Sequence, residues 1–177
     1  IKTQGICQGN GGGPATWAVV SIVILSAHKK KGHGARFVCP ISNLSHHLSS
    51  VIFVDDTDLL HINMEADETV EEAHQAIQSS VTNWGNLLIV SGGALKPPKC
   101  FFSLISFVWK NGIWAYADNH LHGNFGVKVP LPNEPAADIR HHPVSHSEKT
   151  LGAMTSPDGS SEASIALMQE KAQGWVN

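Results

Sequence analysis

The residue types in this chain best suited to chemistry are a run of carboxylates and a scattered set of histidines. In the stretch VIFVDDTDLL, from Val51 to Leu60, two adjacent carboxylates, Asp55 and Asp56, with a third at Asp58, interrupt an apolar run. A carboxylate buried without a partner is strongly penalised or takes up a proton, so such a pair calls for a basic side chain, a cation, or water at the tip of a turn. Paired carboxylates on a turn suit a hard cation such as Mg2+, which binds through one or two carboxylates together with substrate phosphates. A solvated turn would carry the same pair.

The eleven histidines raise a second possibility. His46 and His47, and His141 and His142 with His146, have spacings that could seat a transition metal such as zinc or manganese, which would imply a carboxylate and histidine hydrolase. With no cysteine or acidic ligand read beside them, the expectation is that they are exposed polar residues. The three cysteines, Cys7, Cys39 and Cys100, lie far apart and form no CxxC pair, which argues against a zinc knuckle or a disulfide framework and fits a reducing, intracellular setting, cytoplasmic or nuclear. Gly11, Gly12 and Gly13 lack the Lys-Ser/Thr ending of a phosphate-binding loop and read more readily as a flexible connection than as a substrate-contacting loop.

These residues need elements to hold them. After a glycine-rich opening, Pro14 is placed where a first helical residue is tolerated, and WAVVSIVIL predicts a buried helix that ends in Lys29, Lys30 and Lys31, with Gly32 as its cap. The lysines suit the negative end of the helix dipole or a nucleic-acid phosphate. ARFVC and LSSVIFV have the content of strands, and TDLLHINM reads as the return arm of a hairpin with Asp55 and Asp56 at its turn and buried flanks, Val51 to Val54 and Leu59 to Ile62. Val70, Ala73, Ile77, Val81, Trp84 and Leu88 recur at three- and four-residue steps and predict a helix, opened by Thr69 and Glu72 at capping-box spacing and stopped by the Ser-Gly-Gly from Ser91. Asn111-Gly112 between FFSLISFVW and IWAY predicts a hairpin.

From about Gly123 to Ser147 proline, asparagine and histidine predominate without sustained periodicity, so the segment reads as a loop or connection. EKTLGAMTSPDGS predicts a further short hairpin with a Pro-Asp-Gly turn, and SEASIALMQEKAQGWVN begins a last helix. The alternation of helices and hairpins predicts an α+β fold, an antiparallel sheet with helices packed on one face.

At 42% hydrophobic and 15% charged residues, the 177-residue chain has the composition of a folded domain rather than a disordered one. Its net charge of -3 gives no overall basic footprint, which weighs against polymer binding by this piece alone. The longest apolar run, Trp17 to Leu25, falls well short of the roughly 20 residues needed to cross a bilayer.

Four motifs in order add a resemblance. FVDD, Phe53 to Asp56, resembles the tyrosine-x-Asp-Asp signature of reverse transcriptases, and QGNGGGP, Gln8 to Pro14, is similar to the Gln-Gly-x-x-x-Ser-Pro motif that precedes it there. GGALKPPKC follows the amphipathic helix where that family carries a glycine-rich turn and a lysine, and KTLGAM, Lys149 to Met154, is similar to its Leu-Gly primer-grip hairpin. The fuller string resembles reverse transcriptases of algal and protist retroelements (retrotransposons), and the likeness runs along nearly the whole chain.

The resemblance implies a polymerase palm over 1–122, a connection over 123–147, and a primer-grip hairpin with the start of a thumb helix over 148–177. It implies two-metal nucleotidyl transfer with Mg2+, or Mn2+ in its place, acting on an RNA template, a DNA or RNA primer and deoxynucleoside triphosphates. Asp55 would ligate the catalytic metals and Asp56 would support the same site. Phe53 would pack near the primer end without the usual hydroxyl, and Gln8 and Gly9 would touch the template and the nascent base pair. Lys99 would face the departing pyrophosphate with Lys96 as a neighbour, and Leu151 and Gly152 would grip the primer. Gly13 replaces the motif serine. The family's first metal-binding aspartate and its fingers lie upstream of the Gln-Gly loop, so the chain reads as a fragment, inactive without the rest of the polymerase. A decayed retroelement remnant acting as a nucleic-acid-binding or structural domain is the other expectation.

Overall fold

The computed structural model describes residues 13–53, 56–62, 69–117, 125–150 and 153–176. The chain divides into two compact units, one built from residues 1–100 with 127–139 and the other from 101–126 with 140–177. Both mix helix and strand, and the α+β expectation holds. In place of one continuous sheet, the described strands form several short ladders, all antiparallel except for one two-residue parallel pairing.

The first unit opens with helix α1, Gly13–Lys30. The sequence predicts it buried, yet only Ser21, Ile24 and His28 are fully so, while Val19, Ile22 and Val23 stand exposed. The buried residues recur at steps of three and four, which is one stripe of a helix, and this stripe meets α2, Val70–Val90. A helix apolar on every side can cover only the face that finds a partner. Gly32, at φ 82°, ends α1 as expected, its N–H donating to the carbonyl of Lys29 at 3.0 Å.

Hairpin β1 (Ala35–Val38) with β2 (Ser45–Leu48) follows, and His46 and His47 lie within β2. Gly34, at φ 127°, enters β1 so close to the backbone of Leu48 and Ser49 that an added Cβ would meet it at 2.5 Å. Hairpin β3 (Ser50–Phe53) with β4 (Asp56–Leu59) carries the acidic run.

Helix α2 begins as its sequence predicts. Thr69 Oγ1 accepts from the N–H of Glu72 at 3.2 Å, and the Glu72 carboxylate accepts from the N–H of Thr69 at 2.8 Å. Its buried face, Val81, Trp84 and Gly85, packs on a hairpin that the sequence reading missed. Residues 123–147, expected to be a connection, contain β8 (Val127–Leu131) and β9 (Glu134–His141), with Val127 and Val129 fully buried. Prolines that break the sequence pattern are placed where a ladder tolerates them: Pro130 at an irregularity in register, and Pro132 beside Asn133, which turns the chain at φ 63°. Gln78 clips α2 to this hairpin, its amide donating to the Lys128 carbonyl and accepting from the Lys128 N–H, both at 2.8 Å.

In the second unit β5 (Phe101–Phe102) pairs in parallel with Arg140 and His141 at the end of β9. Hairpin β6 (Phe107–Lys110) with β7 (Ile113–Tyr116) turns through Asn111 and Gly112, both at positive φ, as the Asn-Gly pair predicts. Hairpin β10 (Glu148–Thr150) with β11 (Ala153–Thr155) also forms, but its connection is Leu151-Gly152, outside the described residues. The Pro-Asp-Gly turn comes afterwards, with Gly159 at φ 75°, and leads into α3, Glu162–Val176.

Candidate functional site

The acidic hairpin is a direct consequence of two-residue periodicity. Phe53 pairs with Asp56 and Val51 with Asp58, while Ile52 pairs with Thr57 and Ser50 with Leu59. Alternate pairs point to opposite faces, so Val51, Phe53, Asp56 and Asp58 share one face and Ser50, Ile52, Thr57 and Leu59 the other. The first face is the open one: Val51 is 50% and Phe53 56% exposed, while the residues of the second are half-buried. The flanks of the carboxylates are therefore not the buried rails that their apolar character predicts. The charge inside the apolar run is accommodated because every second residue of the run faces outward.

Two carboxylates on one face interact. The Asp58 carboxyl is pushed above the usual range, first by partial burial and then by repulsion from Asp56. Among the described residues no basic side chain forms an ion pair with Asp56 or Asp58. A like-charged pair of oxygen donors with no ion-paired cation among the described residues is the kind of donor set that hard cations such as Mg2+ or Mn2+ take. Asp58, outside the Asp-Asp motif, is the member that sequence reasoning did not assign, although its offset of two from Asp56 on a strand already places it on the same face.

Of the other residues expected at a polymerase site, Phe53 is opposite Asp56 with its ring exposed. Lys99 ends a single 3-10 turn, Pro97–Lys99, and its side chain is exposed; no ion pair joins it to Asp56 among the described residues. Asp55, Gln8, Gly9, Leu151 and Gly152 lie outside the described residues.

A second cluster lies in the other unit. His142 directly follows β9, its N–H donating to the Phe102 carbonyl at 2.9 Å and its ring stacked on Phe101 at 4.8 Å between centroids. A turn closed by the His146 N–H on the Pro143 carbonyl brings His146 back over it, the two imidazoles 3.9 Å apart. Glu148, at the start of β10, completes the group, with Oε1 at 3.5 Å from His142 Nδ1 and 3.4 Å from His146 Nε2. Arg140 Nη2 is 3.8 Å from the same oxygen. The His142 ring is held below its ordinary pKa, chiefly by burial and then by His146, with Glu148 opposing. Against the expectation of exposed polar residues, His142 is buried and Glu148 stands beside it and His146, and HHPVSHSE carries the signal: His-x3-His followed two residues later by Glu.

No family model matches the chain, and neither does any curated protein or solved structure. Among the described residues no helix is long and apolar enough to cross a membrane.

Proposed function

We propose that the chain is part of the palm of a retroelement RNA-directed DNA polymerase, with α3 as the start of its thumb. The observation that carries the reading is the hairpin β3–β4, which falls between helices α1 and α2 in chain order and presents an aromatic ring and two carboxylates on one open face. A face of that kind can receive a primer end and a triphosphate, which a buried carboxylate pair could not. The order of Gln-Gly loop, helix, acidic hairpin, amphipathic helix and Gly-Gly-Lys turn supports it further, since that is the order in which the resembling family carries these motifs.

In this reading Asp55 and Asp56 hold Mg2+, with Asp58 adding negative charge on the same face. Bound Mg2+ supplies stabilisation of the attacking and leaving oxygens of a phosphoryl transfer. Phe53 offers a flat apolar surface beside the carboxylates, suited to a nucleotide base or sugar. Lys99 is the cation assigned to the pyrophosphate, with Lys96 as its neighbour.

Two measurements test this. RNA–DNA duplex should be retained by the chain with an affinity that falls as salt rises. Mn2+ should broaden nuclear resonances around Phe53 and Asp56, and the double substitution Asp55→Asn with Asp56→Asn should abolish that broadening. Absence of both duplex retention and Mn2+ broadening would sink the polymerase reading. Salt-dependent retention without Mn2+ broadening would leave the non-catalytic remnant instead.

A further inference from the structure

The geometry points to a transition-metal site at His142, His146 and Glu148, of the kind that takes Zn2+, separate in its residues from the acidic hairpin and independent of the polymerase reading. The three ligand atoms all lie within 4.8 Å of one another. Two ligands bound to zinc at ordinary lengths and a tetrahedral angle are about 3.3 Å apart, and Glu148 Oε1 stands 3.5 Å from His142 Nδ1 and 3.4 Å from His146 Nε2. A small adjustment would therefore seat an ion without rebuilding the backbone.

A second observation singles out the same place. The His142 side chain is 9% exposed, and its Nδ1 is buried without a hydrogen-bond partner, although Glu148 Oε1 is near. Buried polar atoms are seldom left so, and this one is aimed at the group that would share the ion. Its ring is fixed by the stack on Phe101 and by the backbone bond to Phe102, so the ligand is positioned before any metal arrives. His146 and Glu148 come from the turn and strand that follow directly, which makes the site local to one short segment.

Two imidazoles and one carboxylate select zinc-like ions over Mg2+, which prefers oxygen alone. Three protein ligands leave a fourth position open to water or to an anionic group. Arg140, 3.8 Å from the Glu148 carboxylate, offsets part of its charge and so competes with a bound cation for it.

The test is calorimetric titration of the whole chain with Zn2+ near neutral pH, with Co2+ as a spectroscopic probe. One zinc per chain is expected, and Co2+ should show the visible absorption of a four-coordinate nitrogen and oxygen site. His146 is partly exposed, so His146→Ala should leave the fold intact by circular dichroism while weakening Zn2+ at least about tenfold. Glu148→Gln should do the same. The double substitution His46→Ala with His47→Ala should leave the affinity unchanged. Absence of stoichiometric uptake, unchanged affinity in His146→Ala, or loss of binding in the His46 and His47 variant would each overturn the site. None of these readouts depends on nucleic acid or on Asp55 and Asp56, so failure here and failure of the polymerase reading are separate results.

Discussion

Asn83 donates its side-chain amide to Nδ1 of His28 at 2.8 Å, which leaves Nε2–H to donate to Ser80 Oγ at 3.3 Å. Helix α2 thus holds a fully buried histidine of α1 as one neutral tautomer, edge-on to Trp84 and stacked on His33. A proton on Nδ1 would face a donor instead of an acceptor.

Burial, and then the nearby His33, lower the His28 pKa from 6.5 to about 4. Between these values the unfolded chain binds a proton that the folded chain does not, so stability is complete above about pH 6.5 and falls as pH drops toward 4. The loss from this group is at most about 3 kcal/mol. Urea midpoints measured across that window should fall with acid, and His28→Gln should flatten part of the slope. Equal slopes in the two proteins would mean that His28 titrates alike in both states.

Gly85 lies on the buried face of α2, and a Cβ there would meet the ring of Pro130 at 2.5 Å. Alanine in a helix interior gains about 1 kcal/mol over glycine, whereas overpacking a tight contact costs about 1–3 kcal/mol. The contact should win, because the proline ring can yield little. Gly85→Ala should lower the unfolding midpoint, while the exposed Gly174, with nothing near its Cβ position, should gain from the same change. A stabilised Gly85→Ala protein would show that β8 can move away from α2.

The pairing of Gly85 with Pro130 also marks where the sequence stopped being legible. Helix α2 was readable because its apolar residues recur at helical spacing and its cap is a local motif, as the observed Thr69 and Glu72 bonds show. The same holds for the Asn111-Gly112 hairpin, whose turn chemistry is contained in two residues. Strands β8 and β9 were not, since Pro130, Pro132 and Pro135 interrupt their alternation and only burial of Val127 and Val129 against a distant helix overrides them. The face of Asp56 and Asp58 follows from strand periodicity alone, but its openness depends on what covers the hairpin, which no local pattern encodes. Glu148 was missed although its partners are near in sequence, because the three side chains converge only through the turn that the His146 N–H closes on the Pro143 carbonyl, in a segment without strand or helix periodicity.

The capping box gives a local test of α2. Thr69→Ala removes the acceptor for the Glu72 N–H and should cost about 1 kcal/mol. Thr69→Ser keeps that oxygen and should recover most of the loss. Chemical denaturation of the two variants checks the pair, and equal losses would assign the effect to the threonine methyl instead.

Asp58 should behave in the opposite sense to His28. Its carboxyl is raised above the ordinary value by partial burial and by Asp56, so the folded chain binds the proton more readily than the unfolded one, and ionisation works against the fold. Above the folded pKa this penalty is present in full; below the ordinary value of 3.8 it disappears. Asp58→Asn should therefore stabilise the protein at neutral pH, and by a modest amount, since solvent screening limits a surface charge contact to about 0.2–1 kcal/mol. The advantage should vanish in acid. Millimolar Mg2+ should narrow it too, because a cation shared by the hairpin carboxylates relieves the same repulsion that the asparagine removes. Melting curves of both proteins with and without Mg2+ decide the matter: a gap that Mg2+ leaves untouched would mean that the hairpin face holds no cation.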